Sequence, residues 1–296
     1  MLKRTCSALL LVLLAASPVY AWGTAAHRYI MGRAIDLLPP EIKPFFEHYR
    51  TELVVRVIDP DTYRTVGWDD DSNHFLDLGV KEYGAYPFAE LPRDYDAALE
   101  KFGMATLKKN GLLPWRFQEE FGNLRRAFEN MGRGNAFAPS DVVLFTAVAA
   151  HYVEDATMPF HASDNFDGQL TGQNGLHARF ETALFERYTS RFTITPAPPR
   201  PMTKPRDTVF DILLAGNQLV PALLAADKTA IAGKDTYDDA YFDRFFESAG
   251  PILERQVGLA VTATASLIMG AWEQAGKPPL RTTIPPAVQK VRRPSN

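Results

Sequence analysis

The sequence predicts an all-α protein folded as a single helical domain, and three observations carry that prediction. Apolar residues recur at helical spacing almost throughout the chain. No convincing run of alternating apolar and polar residues marks a strand. The 296 residues, 46% hydrophobic and 23% charged, have the ordinary balance of a chain long enough to bury one full core.

At the N-terminus Lys3 and Arg4 precede the apolar run Ala8–Ala16, and Val19-Tyr20-Ala21 offers small residues where a signal peptidase reads them. Residues 1–21 are therefore expected to be a signal peptide, cut after Ala21, so that the mature chain is exported to the periplasm or the exterior and begins at Trp22. The run is too short to span a bilayer comfortably. Helix is expected over about residues 25–38, where Tyr29, Ile30, Ala34, Ile35, Leu37 and Leu38 keep the period, and then over 93–109 and 115–132. Ser140-Asp141 is the expected N-cap of the next helix, whose stripe is Val142, Val143, Phe145, Val148 and Ala149. Further helices are expected over 176–191, 207–226 and 237–275. The proline-rich stretch Thr195–Lys204 is expected to be a loop, and Pro278–Asn296 a loosely ordered tail. The uncharged run Val257–Trp272 lies between Arg255 and Glu273; slightly short for a membrane span, it suits a tightly packed core helix.

Cys6 is the only cysteine and lies before the apolar run, so neither a disulfide nor a lipid anchor is expected in the mature chain. Loss of Lys3 and Arg4 leaves 30 basic against 35 acidic side chains, which moves the net charge from −3 to −5. That balance argues against a strongly basic nucleic-acid surface. No obligate protein partner is evident.

The most informative segment is His151-Tyr-Val-Glu-Asp155-Ala-Thr-Met-Pro-Phe-His161, followed by His177-Ala-Arg-Phe-Glu181. Residues i and i+4 of a helix lie one above the other, so His151 with Asp155, and His177 with Glu181, can each close on one metal ion. Pro159 cannot continue the helix and turns the chain, which swings His161 toward the same space. Of the six histidines only His48, in the polar stretch Phe46–Arg50, reads as an ordinary surface residue.

Laid out in order, the motifs are Trp22-Gly-Thr-Ala-Ala-His27, an Asp before Tyr63-Arg64, His74-Phe-Leu-Asp77, His151-x3-Asp155-x5-His161 and His177-x3-Glu181. From Trp22 to about Glu181 this chain resembles the superfamily that joins zinc-dependent phospholipase C to the S1/P1 nucleases. The resemblance implies a helical domain over residues 22–276 with three zinc ions in a cleft. One ion would take an early Asp, His74, His151 and Asp155. A second would take the free amino nitrogen and carbonyl oxygen of Trp22, with His27 and the other oxygen of Asp155. A third would take His161, His177 and Glu181. The early Asp is Asp59 or Asp61, with the Asp-x-Tyr-Arg form favouring Asp61, which could also accept a proton from the attacking water. Phe75 and Asp77 would face the substrate. Imidazole and carboxylate suit zinc, whereas calcium wants more oxygen ligands than these histidines allow.

The implied chemistry is phosphodiester hydrolysis by a zinc-bound hydroxide. The sequence offers no competing nucleophile: no mature cysteine, no Gly-x-Ser-x-Gly elbow, no complete phosphate loop at Gly233-Lys234. Glu181, the short interval from His161 to His177 and the lack of cysteines resemble the phospholipase C branch, while the interval from Trp22 to His27 resembles the nucleases. The acidic balance disfavours long polyanions, so a phospholipid is the expected substrate, with single-stranded nucleic acid as the alternative. A noncatalytic role, with zinc only holding helices together, is the third reading. Structural zinc sites are usually closed and often rich in thiolates, which this set is not.

Overall fold

The helical spacing of apolar residues becomes helix almost wherever it occurs: helix makes up 67% of a computed structural model, and no strand is present among the described residues, 22–285. The expected leader, with Cys6, and the tail beyond residue 285 lie outside the described residues.

Trp22 and Gly23 lead into α1 (Thr24–Asp36). Three short helices follow, α2 (Lys43–His48), α3 (Arg50–Arg56) and α4 (Asp59–Thr65). The sequence reading left this region without helices, because pieces of six or seven residues are too short to show a repeated stripe. After an irregular segment come α5 (Tyr95–Asn110), interrupted at Gly103, and α6 (Leu113–Gly132). The next helix, α7 (Ala138–Ala156), begins earlier than expected. Its N-cap is Phe137 rather than Ser140-Asp141, because Pro139 fits the first turn, where its missing N–H costs nothing. Asp141 instead lies in that first turn, where its charge complements the helix dipole.

The expected helix 176–191 is a composite. It runs as α8 (Leu176–Ala178), a π-turn (Arg179–Leu184), α9 (Phe185–Tyr188) and a 3₁₀ turn (Thr189–Arg191). The expected helix 207–226 is two, α10 (Pro205–Asn217) and α11 (Val220–Ile231). Pro221 lies in the first turn of α11, a position it tolerates, whereas inside one continuous helix it would clash with a preceding carbonyl. Last comes α12 (Asp239–Gln274), which passes through Pro251 without ending.

Helix α7 is apolar on all sides, and fifteen of its nineteen residues are buried; a helix of that kind belongs at the centre of a fold. Helices α6, α12 and α3 pack around it, α1 lies against α12, α10 covers α6, and α11 covers α12. The buried apolar side chains form one cluster that includes Phe117, Phe128, Tyr152 and Phe245. Two stretches, Pro205–Ile231 and Asp239–Gln274, are long and apolar enough by composition to cross a membrane. The first is broken between α10 and α11, and 44% and 61% of their most apolar windows are buried inside the fold.

Two close approaches position the site. Gly23 lets the N-terminal segment meet the π-turn, since a Cβ there would lie 2.6 Å from Thr182 Oγ1. Gly111, at φ +98°, lets the α5–α6 junction meet residue 75, whose carbonyl oxygen would be 2.1 Å from an added Cβ. The segment after the 3₁₀ turn Asp71–Asn73 is held from two sides. Leu113 N–H donates to Phe75 O at 3.2 Å and Asp77 N–H to Asn110 O at 2.7 Å, while Leu76 N–H donates to His161 O at 2.8 Å.

Candidate metal centre

The last turns of α7 bring His151, Glu154 and Asp155 into the core with no solvent exposure. Pro159 then starts a 3₁₀ turn, Pro159–Ala162, and this turn carries His161 back toward Asp155, with Nδ1 3.9 Å from Asp155 Oδ1. Around that end of α7 the fold gathers three buried groups, each able to hold a metal ion: His27, His151 and Asp155; Asp61, His74 and His151; and His161, His177 and Glu181. His27 comes from α1, Asp61 from α4, and His74 from the segment after the Asp71–Asn73 turn. His48 stands apart, exposed on α2 against the ring of Tyr49.

The first two groups share His151, and Asp155 of the first also reaches His74 of the second. Its Oδ1 lies 3.3 Å from His27 Nε2, and its Oδ2 lies 2.9 Å from His74 Nδ1 and 3.2 Å from His151 Nε2. Asp61 Oδ1 is 3.8 Å from His151 Nε2 and 4.0 Å from His74 Nδ1. Asp59 lies outside the cluster, paired with Arg56 Nε at 3.0 Å. In the third group His161 Nε2 and His177 Nε2 are 3.2 Å apart, with Glu181 Oε2 3.1 Å from His177 Nε2. Glu181 sits in the π-turn, a wider helical register often found at functional positions.

The second nitrogens of four histidines are engaged. His151 Nδ1 donates to Val57 O at 2.9 Å, and His177 Nδ1 to Phe166 O at 2.9 Å. His27 Nδ1 pairs with Glu154 Oε2 at 2.6 Å, and His74 Nε2 with Asp70 Oδ2 at 3.1 Å. A metal-binding imidazole usually donates its other N–H in this way, which fixes the tautomer and turns the lone pair toward the ion. With those donors committed, His74 Nδ1 lies 3.0 Å from His151 Nε2 and 2.9 Å from Asp155 Oδ2. Acceptors at such distances repel unless a proton or a cation lies between them. His27 Nε2, Asp155 Oδ1, His161 Nδ1 and Glu181 Oε2 are buried without a well-formed hydrogen bond, and buried polar atoms rarely stay unsatisfied. An imidazole and carboxylate donor set with such atoms fits zinc.

The electrostatics point the same way. Burial pulls down the pKa of His27, but hydrogen bonds and charge from Asp155 and Glu154 outweigh it and raise it to about 10. His74 follows the same balance: burial lowers it, and Asp155 and Asp70 lift it to about 9. Asp155 is driven well below the usual carboxylate range; burial opposes this, and His151, His27 and His74 outweigh it. His151 and His161 are pushed down chiefly by burial, toward the neutral form that binds metal. The cluster thus attracts cations, protons included.

Trp22 is fully buried beside this centre, its indole Nε1 donating to Glu154 O at 2.8 Å and Thr157 Oγ1 at 3.1 Å. Phe75 and Asp77 are half-buried on the same segment as His74. Asp77 has its carboxyl pushed up to about 7, first by burial and then by Asp164, with His177 opposing.

Sequence reasoning missed Glu154, Asp70 and Tyr152. Glu154 is fully buried, with Oε1 accepting from Thr264 Oγ1 at 3.2 Å. Asp70 accepts from the Tyr152 hydroxyl at 2.9 Å and from Asn73 Nδ2 at 2.7 Å. A signal for Glu154 was present: an acidic residue between His151 and Asp155 on an apolar helix has nowhere to go but the core. For Asp70 the signal was its place four residues before His74, obscured because Asp69-Asp70-Asp71 reads as a solvated run. No family model and no curated protein matches the chain.

Proposed function

We propose that this protein is a zinc-dependent phosphodiesterase of the phospholipase C kind, which hydrolyses phospholipid headgroups. The observation that carries the reading is Asp155, whose two oxygens face different imidazoles so that one carboxylate reaches both of the groups that share His151. His27, Asp61, His74, His151 and Asp155 would hold a pair of ions, with the backbone of Trp22 completing the His27 side. The third group would be filled by His161, His177 and Glu181.

Bound there, zinc would acidify a coordinated water and stabilise charge on phosphate oxygens. The chain's own residues supply the rest. Glu154 and Asp70 orient His27 and His74. Beside its part in holding metal, the Asp61 carboxylate takes the proton of the attacking water. As the water oxygen bonds to phosphorus in line, the bond from phosphorus to the lipid oxygen breaks; that oxygen takes a proton from solvent water as it leaves, and the proton held by Asp61 passes back to solvent. Phe75 and Asp77, on the strip that follows His74, face the headgroup.

One observation supports the nuclease reading. Close in sequence to Asp61, the rings of Tyr63 and Trp68 lie 4.8 Å apart and Trp68 is 63% exposed, a surface on which a nucleic-acid base can stack. Product analysis on phosphatidylcholine vesicles and on single-stranded DNA, each with and without chelator, separates the two. The phospholipase reading expects chelator-sensitive diacylglycerol release. Nucleotides from DNA with intact lipid would replace it by the nuclease, and inactivity toward both and toward bis-p-nitrophenyl phosphate would leave the metals a structural role.

A further inference from the structure

Arg179 lies midway between His177 and Glu181 in sequence, yet it takes no part in their group. Its side chain is buried, and every nitrogen of the guanidinium is used. Nη1 donates to Asn174 O at 2.8 Å, Nη2 to Gln173 O and Asp227 Oδ1, each at 3.1 Å, and Nε to the Tyr241 hydroxyl at 3.1 Å. The guanidinium carbon lies 4.0 Å from the centre of the Tyr237 ring. Asp227, 1% exposed, is itself held by Gln173 Nε2 on Oδ2 at 2.7 Å and by the Tyr241 hydroxyl on Oδ1. These bonds tie the loop before α8, and the π-turn after it, to α11 and α12.

The clamp reaches only one of the three groups. His177 and Glu181 ride on the clamped segment, while His161 approaches from the turn after α7. None of these hydrogen bonds goes to α1, to α4 or to the segment that carries His74. A buried ion pair contributes little net stability over well-packed apolar side chains. Its geometry, by contrast, is demanding: a planar fork that spans two carbonyls, a carboxylate and a hydroxyl leaves the loop one position.

We propose that Arg179, locked by Asp227 and Tyr241, is a positioning residue that sets the affinity of the His161–His177–Glu181 group for its cation, independently of the two groups that share His151. The proposal rests on the reading of the three groups as metal sites. To test it, chelator-stripped wild type, Asp227→Asn and Tyr241→Phe are titrated with zinc against a chromophoric chelator, and the metal per chain is counted by elemental analysis. Wild type should fill three sites. Asp227→Asn should weaken one of them by about tenfold, the low end of the scale for loss of a partner directly behind a ligand, since Asp227 acts through Arg179, and leave the other two unchanged. Excess zinc should refill the weakened site. Tyr241→Phe, which removes one oxygen and keeps the ring, should weaken the same site less and carries the test should Asp227→Asn fail to fold. A uniform loss at all three sites, or wild-type affinity throughout in both variants, overturns the clamp. Wild-type protein that takes up no zinc overturns the metal reading itself, which keeps the two failures apart.

Discussion

Each oxygen of Asp155 faces different imidazoles, so its charge serves two groups at once, whereas Glu181 serves one. Asp155→Asn should therefore lose about two zinc ions per chain and nearly all turnover, while Glu181→Asp, which keeps a carboxylate, should lose at most one. Elemental analysis with a turnover assay checks the ranking, and equal zinc in both variants and wild type would refute it. Glu154 stands behind His27. Glu154→Leu leaves the His27 Nδ1–H buried with no acceptor, which should cost on the order of 2–4 kcal/mol in urea unfolding. Glu154→Gln retains an acceptor and should cost less. Asp77 makes a pH prediction. Its folded pKa, about 7, lies above the ordinary value of 3.8, so its contribution is intact below the lower value and is lost as pH rises through the higher. Asp77→Asn should then match wild type near pH 3.5 and gain on it as pH rises, by on the order of 3 kcal/mol at pH 8. Denaturant midpoints that differ by the same amount at both pH values would rule this out.

At the scale of elements, the site depends on how irregular segments are held between helices. Gly111 joins α5 to α6 at a positive φ, and its backbone lies against the carbonyl of Phe75, one residue after His74. Gly111→Ala should destabilise the protein by on the order of 3 kcal/mol or more, because the new Cβ both strains φ and drives the 74–78 segment away. The loss of thermal stability should come with loss of metal from the group that contains His74, and an unchanged melting temperature would show that the junction yields. The π-turn teaches a related lesson. The i+4 spacing of His177 and Glu181 was legible as a chelate, but the register that presents it is set by Gly23 against Thr182 on one side and by Arg179 on the other.

For the molecule as a whole, the centre gathers Asp61, Asp70, Glu154, Asp155 and Glu181 into the core. Buried carboxylates are costly unless cations offset them. The chain's own response is to raise the pKa of His27 and His74, so that protons are drawn in. Zinc would replace them with far more charge. Chelation should therefore lower the melting temperature by about 10 °C or more, and added zinc should restore it, because metal binding is linked to folding. Calorimetry with and without chelator measures the shift; a melting temperature indifferent to both would argue against a metal inside the fold.

What the sequence by itself determined is the helical class and the spacing of the pairs that could chelate, because both are local: apolar stripes and i+4 spacings repeat within a few turns of chain. The central helix with His151 and Asp155, the turn at Pro159 and the long last helix through Trp272 were all legible on that basis. The tertiary structure alone places Asp61, and not Asp59, beside the histidines, since a carboxylate faces Arg56 or the histidines according to which side of a two-turn helix packs inward. It also decided that Glu154 stands behind His27 and that Asp227 and Tyr241 hold Arg179. These contacts cross up to 127 residues of sequence, and no local period encodes which distant side chain a buried imidazole will meet.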